Sequence, residues 1–139
     1  MVAPWNFLSI ILQKKVCTKS AEYSAYSATA QLTLHTLVIT ALLALQHRGQ
    51  ESCGIAVSDE GVIDYHKDMG LVTEVFNNKI LDSLNGQMAV SHVRYSTAGG
   101  SVLENAQPLV MRYVKGTLSI AHNGNLTNAL EIRRSLEQR

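Results

Sequence analysis

Cysteine, charge of one sign and long apolar runs are scarce in this chain, and each scarcity excludes something. The two cysteines, Cys17 and Cys53, stand far apart. They make neither a disulfide-dense secreted scaffold nor the paired spacing of a metal-ligand set. The five histidines are scattered, and none forms an H-x-x-x-H pair. A reducing, cytoplasmic compartment is expected. Charge of one sign is lacking too. Twelve basic residues against eleven acidic leave a net charge of +1, which gives no electrostatic case for nucleic acid or an acidic membrane surface. Long apolar runs are missing. Trp5–Leu12 and Leu32–Leu45 both fall short of the ~20 residues a membrane span needs, and Lys14 and Lys15 follow the first run instead of preceding it. Leu32–Leu45 reads as a buried element. What remains is 139 residues that are 46% hydrophobic, enough for one domain that buries roughly 68–70% of its unfolded surface.

Glycine is absent before residue 49, and only Pro4 and Pro108 are prolines. The chain therefore divides near residue 41 into a Ser/Thr/Ala/Leu-rich stretch with few turn signals and a remainder with clear ones. Gly54–Ser58 and Val62–His66 read as strands around an Asp59-Glu60-Gly61 hairpin turn. Thr73–Leu84 carries Val75, Phe76, Ile80, Leu81 and Leu84 at helical spacing, with Thr73 as cap. Met88–Val93 reads as a strand ending at Arg94, and residues 98–101 as a flexible loop. Leu109–Val114 and Thr117–Ala121 read as a second hairpin around Lys115-Gly116, and Asn125–Gln138 as a helix. Antiparallel strands mixed with helices, without βαβ alternation, predict an α+β fold.

Four polar segments, three of them glycine-bearing, lie beside the apolar strands: Leu45–Ser52, His92–Gly100, Glu104–Pro108 and Ala121–Asn125. At Asn123-Gly124 a strand runs in and a helix leaves. An Asn amide and the next N–H pointing at one spot form an oxyanion hole, worth about 2.7–4 kcal/mol per donor. A plain Asn-Gly turn with Asn125 as helix cap is the commoner use of such a pair. Arg94 ends its strand where a guanidinium can grip a carboxylate on two prongs, or pair with a neighbouring acid. His92 and His122 sit in apolar strand context and read as core histidines. His47 and Arg48 cap the preceding apolar segment or help wall a pocket. Cys53 reads as a small buried hydrophobe. Cys17, between lysines, has no identifiable base.

Together these segments resemble the glutaminase domain of the amidophosphoribosyltransferase family. LQHRGQES, TEVF, SHVRYSTAGG, ENAQPL and AHNGNL stand in that family's order and near its spacings, over about Leu42–Arg139. The resemblance implies an N-terminal-nucleophile hydrolase-like four-layer αββα sandwich, incomplete here. It implies hydrolysis of glutamine by an N-terminal cysteine whose own α-amine is the base. Asn123 and the Gly124 N–H would form the oxyanion hole, and Arg94, Tyr95 and Arg48 would bind substrate. Ammonia would pass to phosphoribosylpyrophosphate in a second domain, giving 5-phosphoribosylamine for purine synthesis. Magnesium would belong to that domain, which lies outside this chain, so no cofactor or metal is expected here. The parent enzyme would be a homo-oligomer that meets neither membrane nor nucleic acid. Two alternatives stand beside this: a catalytically dead fragment lacking the N-terminal cysteine, and a class II amidotransferase with another acceptor, against which HRGQES and HVRYSTAGG argue.

The chain departs from the family in two places. The family's Ser-Asp segment, which holds the glutamine α-amine, would follow Arg139. The nucleophile's own place, some two dozen residues before LQHRGQ, reads Ser20-Ala21-Glu22-Tyr23-Ser24, without cysteine. The genetic code suggests why. Taking the last base of each codon with the first two of the next, Val16–Tyr26 reads M-H-E-E-C-G-(I/V)-F-G-(I/V), and Leu37–Ala41 reads C-Y-Y-G. The family has HEECG(V/I)FG and then YYGL. Residues 1–41 are therefore expected to be out-of-frame translation, with residues 42–139 a partial glutaminase domain. The strand that carries the nucleophile would then be missing, leaving an open sheet edge and low stability.

Overall fold

The computed structural model describes residues 9–13, 34–95, 100–124 and 127–138. Cys17, the Asn125 cap and loop residues Ala98 and Gly99 lie outside these. So does the stretch from Val16 to Tyr26 in which the shifted reading places the missing nucleophile. The elements are β1 (Ser9–Gln13), α1 (Leu34–Leu45), β2 (Ser52–Asp59), β3 (Val62–Met69), α2 (Val72–Val75), α3 (Asn78–Ser83), β4 (Met88–Arg94), β5 (Leu109–Tyr113), β6 (Gly116–Ile120) and α4 (Ala129–Glu137). Four strands make one antiparallel sheet in the order β1-β4-β2-β3, and β5-β6 make a second sheet. The α+β expectation holds.

The first hairpin falls where its sequence places it. Asp59 pairs with Val62, and both Glu60 and Gly61 take positive φ, the conformation of a tight two-residue turn. In the second hairpin Tyr113 pairs with Gly116, so the turn residues are Val114 and Lys115, one position earlier than expected. β3 is an edge strand. Its Asp64, Lys67 and Asp68 are the kind of residues that discourage pairing with another chain.

Period-2 alternation divides the central strands into two faces. Cys53, Ile55 and Val57 of β2 and Ala89 and Val93 of β4 join Leu34, Val38 and Leu42 of α1 in the core, with Val72, Val75, Phe76 and Leu84. Leu34, Val38 and Leu42 recur every four residues, so one stripe of α1 lies on the sheet. α1 also runs through residue 41 without a break. The opposite face of the sheet carries Ser52, Gly54, His92 and Arg94, and it meets the Ala106–Pro108 segment.

Two expectations need correction. The Thr73–Leu84 helix is two short helices, parted at Phe76-Asn77. The Asn77 side chain accepts the Ile80 N–H at 3.0 Å and starts α3 anew, because Asn binds backbone better as a cap than inside a helix. Thr73 is exposed within the first turn. It is the Glu74 carboxylate that receives the Leu71 N–H, at 2.8 Å. The apolar residues of this stretch still reach the core, so the spacing names the buried positions although the helix is discontinuous. Second, the β4 edge is not open: Ser9–Gln13 pairs with it, Ser9 opposite His92 and Gln13 opposite Met88.

Candidate functional site

The site is built on the β4 face that looks away from α1. His92 and Arg94 are two residues apart and so share that face. His92 pairs across the ladder with Gly54, and Arg94 with Ser52. Arg94 is buried, and its Nη1 donates to Glu51 Oε1 in a largely buried ion pair. The acid partner comes from within the LQHRGQES segment. Its backbone is fixed as well, the Glu51 N–H donating to Arg94 O at 3.1 Å and its carbonyl accepting from Gly70 at 2.8 Å. Of the two uses open to Arg94 in sequence, pairing with a neighbouring acid is the one seen. The guanidinium is thereby held at the end of β4.

Arg48 lies on a short 3₁₀ turn, Gln46–Arg48, that closes α1. The turn packs hard against the sheet: a Cβ on Gly49 would lie 2.6 Å from the Val93 carbonyl carbon and 2.8 Å from Arg94 N. Gln46 locks this corner. Its amide donates to Gly49 O at 2.5 Å and accepts the Val72 N–H at 2.6 Å. The Arg48 segment and Arg94 are thus neighbours through backbone contact. Tyr95, directly after β4, is 70% exposed.

Asn123 and Gly124 follow β6. Asn123 Oδ1 lies 2.8 Å from His92 Nε2, which joins the candidate oxyanion hole to the strand carrying Arg94. The Gly124 N–H donates to His122 Nδ1 at 3.2 Å. The His122 N–H donates to Gln107 Oε1 at 2.7 Å. Gln107 itself lies over β2, where a Cβ on Gly54 would run into its carbonyl oxygen. Lys67 Nζ donates to Ala106 O at 2.5 Å and ties the same segment to β3. Burial lowers the Lys67 pKa, and the nearby Glu104 carboxylate opposes that shift.

Of the two histidines, His92 takes the buried place the core reading expects and His122 does not. His92 is buried at 3% exposure with only one ring nitrogen satisfied. His122 is exposed, past the end of β6. Burial lowers the His92 pKa below its usual range. Hydrogen bonds to the Asn123 side chain and the His122 backbone oppose this, while the charges of His122 and Arg94 add to it. Cys53 stands on the opposite, core face of the sheet, and burial with nearby Asp68 and Glu74 pushes its thiol up to about 12. It is a packing residue, not a nucleophile. Sequence reasoning missed Glu51, Gln107 and the His92–Asn123 contact. All three lie in the motifs, but a one-dimensional pattern does not say which motif residues face one another. Among the described residues, no group of three or more His, Cys, Asp or Glu could hold a metal ion. None of their helices is long and apolar enough to cross a membrane.

Residues 44–138 match the family model described as "Glutamine amidotransferases class-II". The chain is 54% identical over 98 residues to an amidophosphoribosyltransferase of Methanocaldococcus jannaschii, covering 70% of this chain and 21% of that protein. It is 41% identical over 126 residues to the amidophosphoribosyltransferase of Methanothermobacter thermautotrophicus, covering 91% and 27%. Among solved structures, glutamine phosphoribosylpyrophosphate amidotransferase from Bacillus subtilis, complexed with ADP and GMP, superposes with a TM-score of 0.67 at 43% identity. That match covers 76% of this chain and 23% of that one. This chain therefore spans about a fifth to a quarter of the length of the relatives it matches. The fold is an incomplete α+β domain of the N-terminal-nucleophile hydrolase type that these amidotransferases share. With the polar β4 face, the Asn123-Gly124 turn and the match over residues 44–138 in agreement, the chain belongs to the class II glutamine amidotransferase family.

Proposed function

We propose that this chain is the glutamine-binding core of the glutaminase half of an amidophosphoribosyltransferase. In the reaction of the parent enzyme, a cysteine thiolate attacks the side-chain amide carbonyl of glutamine. Ammonia leaves, and water releases glutamate from the thioester. The ammonia goes to phosphoribosylpyrophosphate in another domain to make 5-phosphoribosylamine for de novo purine synthesis. The Asn123 amide would stabilise the oxyanion, joined by the Gly124 N–H once that group exchanges its His122 Nδ1 acceptor for the substrate. Arg94 holds the α-carboxylate. Glu51 takes one edge of its planar five-donor fork, and this fixes the fork's direction. Tyr95, directly after Arg94, and Arg48, on the turn that packs against the end of β4, are assigned to substrate binding with it. This half needs no metal of its own, and magnesium belongs with phosphoribosylpyrophosphate. The cytoplasm is the proposed compartment, and the parent enzyme a homo-oligomer.

The observation that carries this reading is the junction of His92 with Asn123 on the strand that ends in Arg94. That contact links the Asn123 amide to the strand whose end carries Arg94, which supports recognition of a γ-amide and an α-carboxylate on one small molecule. One observation favours a second reading, glutamine binding without hydrolysis: the family position of the nucleophile reads Ser20–Ser24, and Cys53 faces the core. Glutamate release from L-glutamine, measured beside binding, separates the two. Release that disappears in Asn123→Ala supports the first. Binding without release supports the second. Absence of both contradicts the site.

A further inference from the structure

His92 is the polar group on the β4 face whose role the reaction scheme leaves unassigned. Its Nε2 lies 2.8 Å from Asn123 Oδ1, and its Nδ1 is buried with no hydrogen-bond partner. An amide oxygen only accepts, so the ring hydrogen sits on Nε2. The reverse arrangement, with the Asn123 amide nitrogen donating to a bare Nε2, would put that hydrogen on Nδ1, where nothing receives it. Buried N–H groups without acceptors are rare and costly. Protonation of both nitrogens meets the same obstacle, and the burial that lowers the His92 pKa agrees with a neutral ring.

The consequence concerns Asn123. An amide side chain turned by half a rotation presents oxygen where it presented nitrogen. In an oxyanion hole that exchange replaces a donor with a repelling acceptor. We infer that His92, as a neutral Nε2–H donor to Asn123 Oδ1, is a positioning residue that keeps the amide nitrogen of Asn123 as the end offered to substrate. The inference rests on the glutamine-site reading above. Gln107 acts beside it on the backbone. It is buried, and its side-chain oxygen receives the His122 N–H at 2.7 Å, so the residue preceding Asn123 is anchored too. The amide is thus held at its side chain from β4 and at its main chain from the Ala106–Pro108 segment.

The test uses the 139-residue chain labelled with ¹⁵N. Long-range proton–nitrogen correlation reads which ring nitrogen of His92 carries hydrogen, with no substitution needed. Hydrogen on Nε2 and a bare Nδ1 near neutral pH are expected; hydrogen on Nδ1 overturns the inference. L-glutamine is then titrated while the Asn123 side-chain amide is followed. His92→Gln keeps a donor near the Nε2 position and is expected to bind within about twofold of the parent. His92→Phe keeps a ring without the donor and is expected to bind roughly five- to tenfold more weakly, the effect of one hydrogen bond. Equal affinity in Phe and parent, or equal loss in Gln and Phe at matched thermal stability, contradicts positioning. If the Phe variant does not fold, the Gln variant and the ring assignment decide. If the parent shows no response to L-glutamine, the glutamine site itself fails, whereas the ring assignment still reports on the His92–Asn123 contact.

Discussion

At the scale of single residues, burial decides which polar groups are structural and which are poised. His92 illustrates the stability side. Its pKa is lowered in the folded chain, so the unfolded chain binds a proton first as pH falls. The sign then follows: stability is kept above the ordinary histidine value of about 6.5 and declines on acidification below it. Denaturant midpoints measured between pH 8 and pH 5 are expected to fall with pH, and His92→Gln to flatten the fall. An unchanged slope in the variant would assign the effect elsewhere. The Glu51–Arg94 pair makes the second prediction at this scale. Glu51→Gln removes the carboxylate charge from a largely buried guanidinium and is expected to cost about 3 kcal/mol in urea unfolding; a cost under 1 kcal/mol would mean that water screens the pair. The resemblance singled out Arg94, Asn123 and Gly124 through their motifs. Their partners were not legible, because Glu51 and Arg94 are 43 residues apart and His92 and Asn123 are 31 apart. Only the folded chain brings them together.

Among the elements, strands were more legible than helices. Gly54–Ser58, Met88–Val93 and the two hairpins stand out by β-branched runs bounded by turn residues, and the structure extends or shifts them by one to three positions. The 72–84 region was legible as core but not as two helices, since apolar spacing says which positions are buried and Asn77 says where the chain restarts. β1 was not legible at all. Ser9–Leu12 stands in the sequence only as part of a run too short for a membrane, and pairing along the β4 edge is set by a neighbour far away in sequence. Close approach supplies the element-scale prediction. A Cβ on Gly54 would press into the Gln107 carbonyl, and on its other side into the Lys67 side chain. Gly54→Ala is therefore expected to lift the Ala106–Pro108 segment off β2 and cost about 1–3 kcal/mol. Amide shifts at His122 and Gly124 would report the displacement reaching the site. A substitution that leaves those shifts in place would show that the segment moves independently of the Asn123 turn.

Taken as a whole, the molecule is unevenly supported. β2 and β4 are central strands buried on both faces, whereas α4 buries no residue and exposes Leu130 and Leu136 by 72% and 65%. Local stability follows buried contacts. Amide hydrogen exchange is therefore expected to be slowest in β2 and β4 and fastest in α4; comparable protection in α4 would require packing that its surface does not show. The family of the whole chain was legible from five ordered motifs, more clearly than any single element. Order and spacing together constrain far more than one hairpin does.

The most direct measurement is calorimetric binding of L-glutamine to the chain and to Arg94→Lys. Lysine keeps the charge but loses the planar fork that holds a carboxylate at two points. The account predicts saturable binding of L-glutamine and a loss of roughly tenfold or more in the lysine variant, the range of charge-assisted hydrogen bonds. No binding by the parent chain, or equal affinity in both, would contradict a glutamine site built on Arg94 and Asn123.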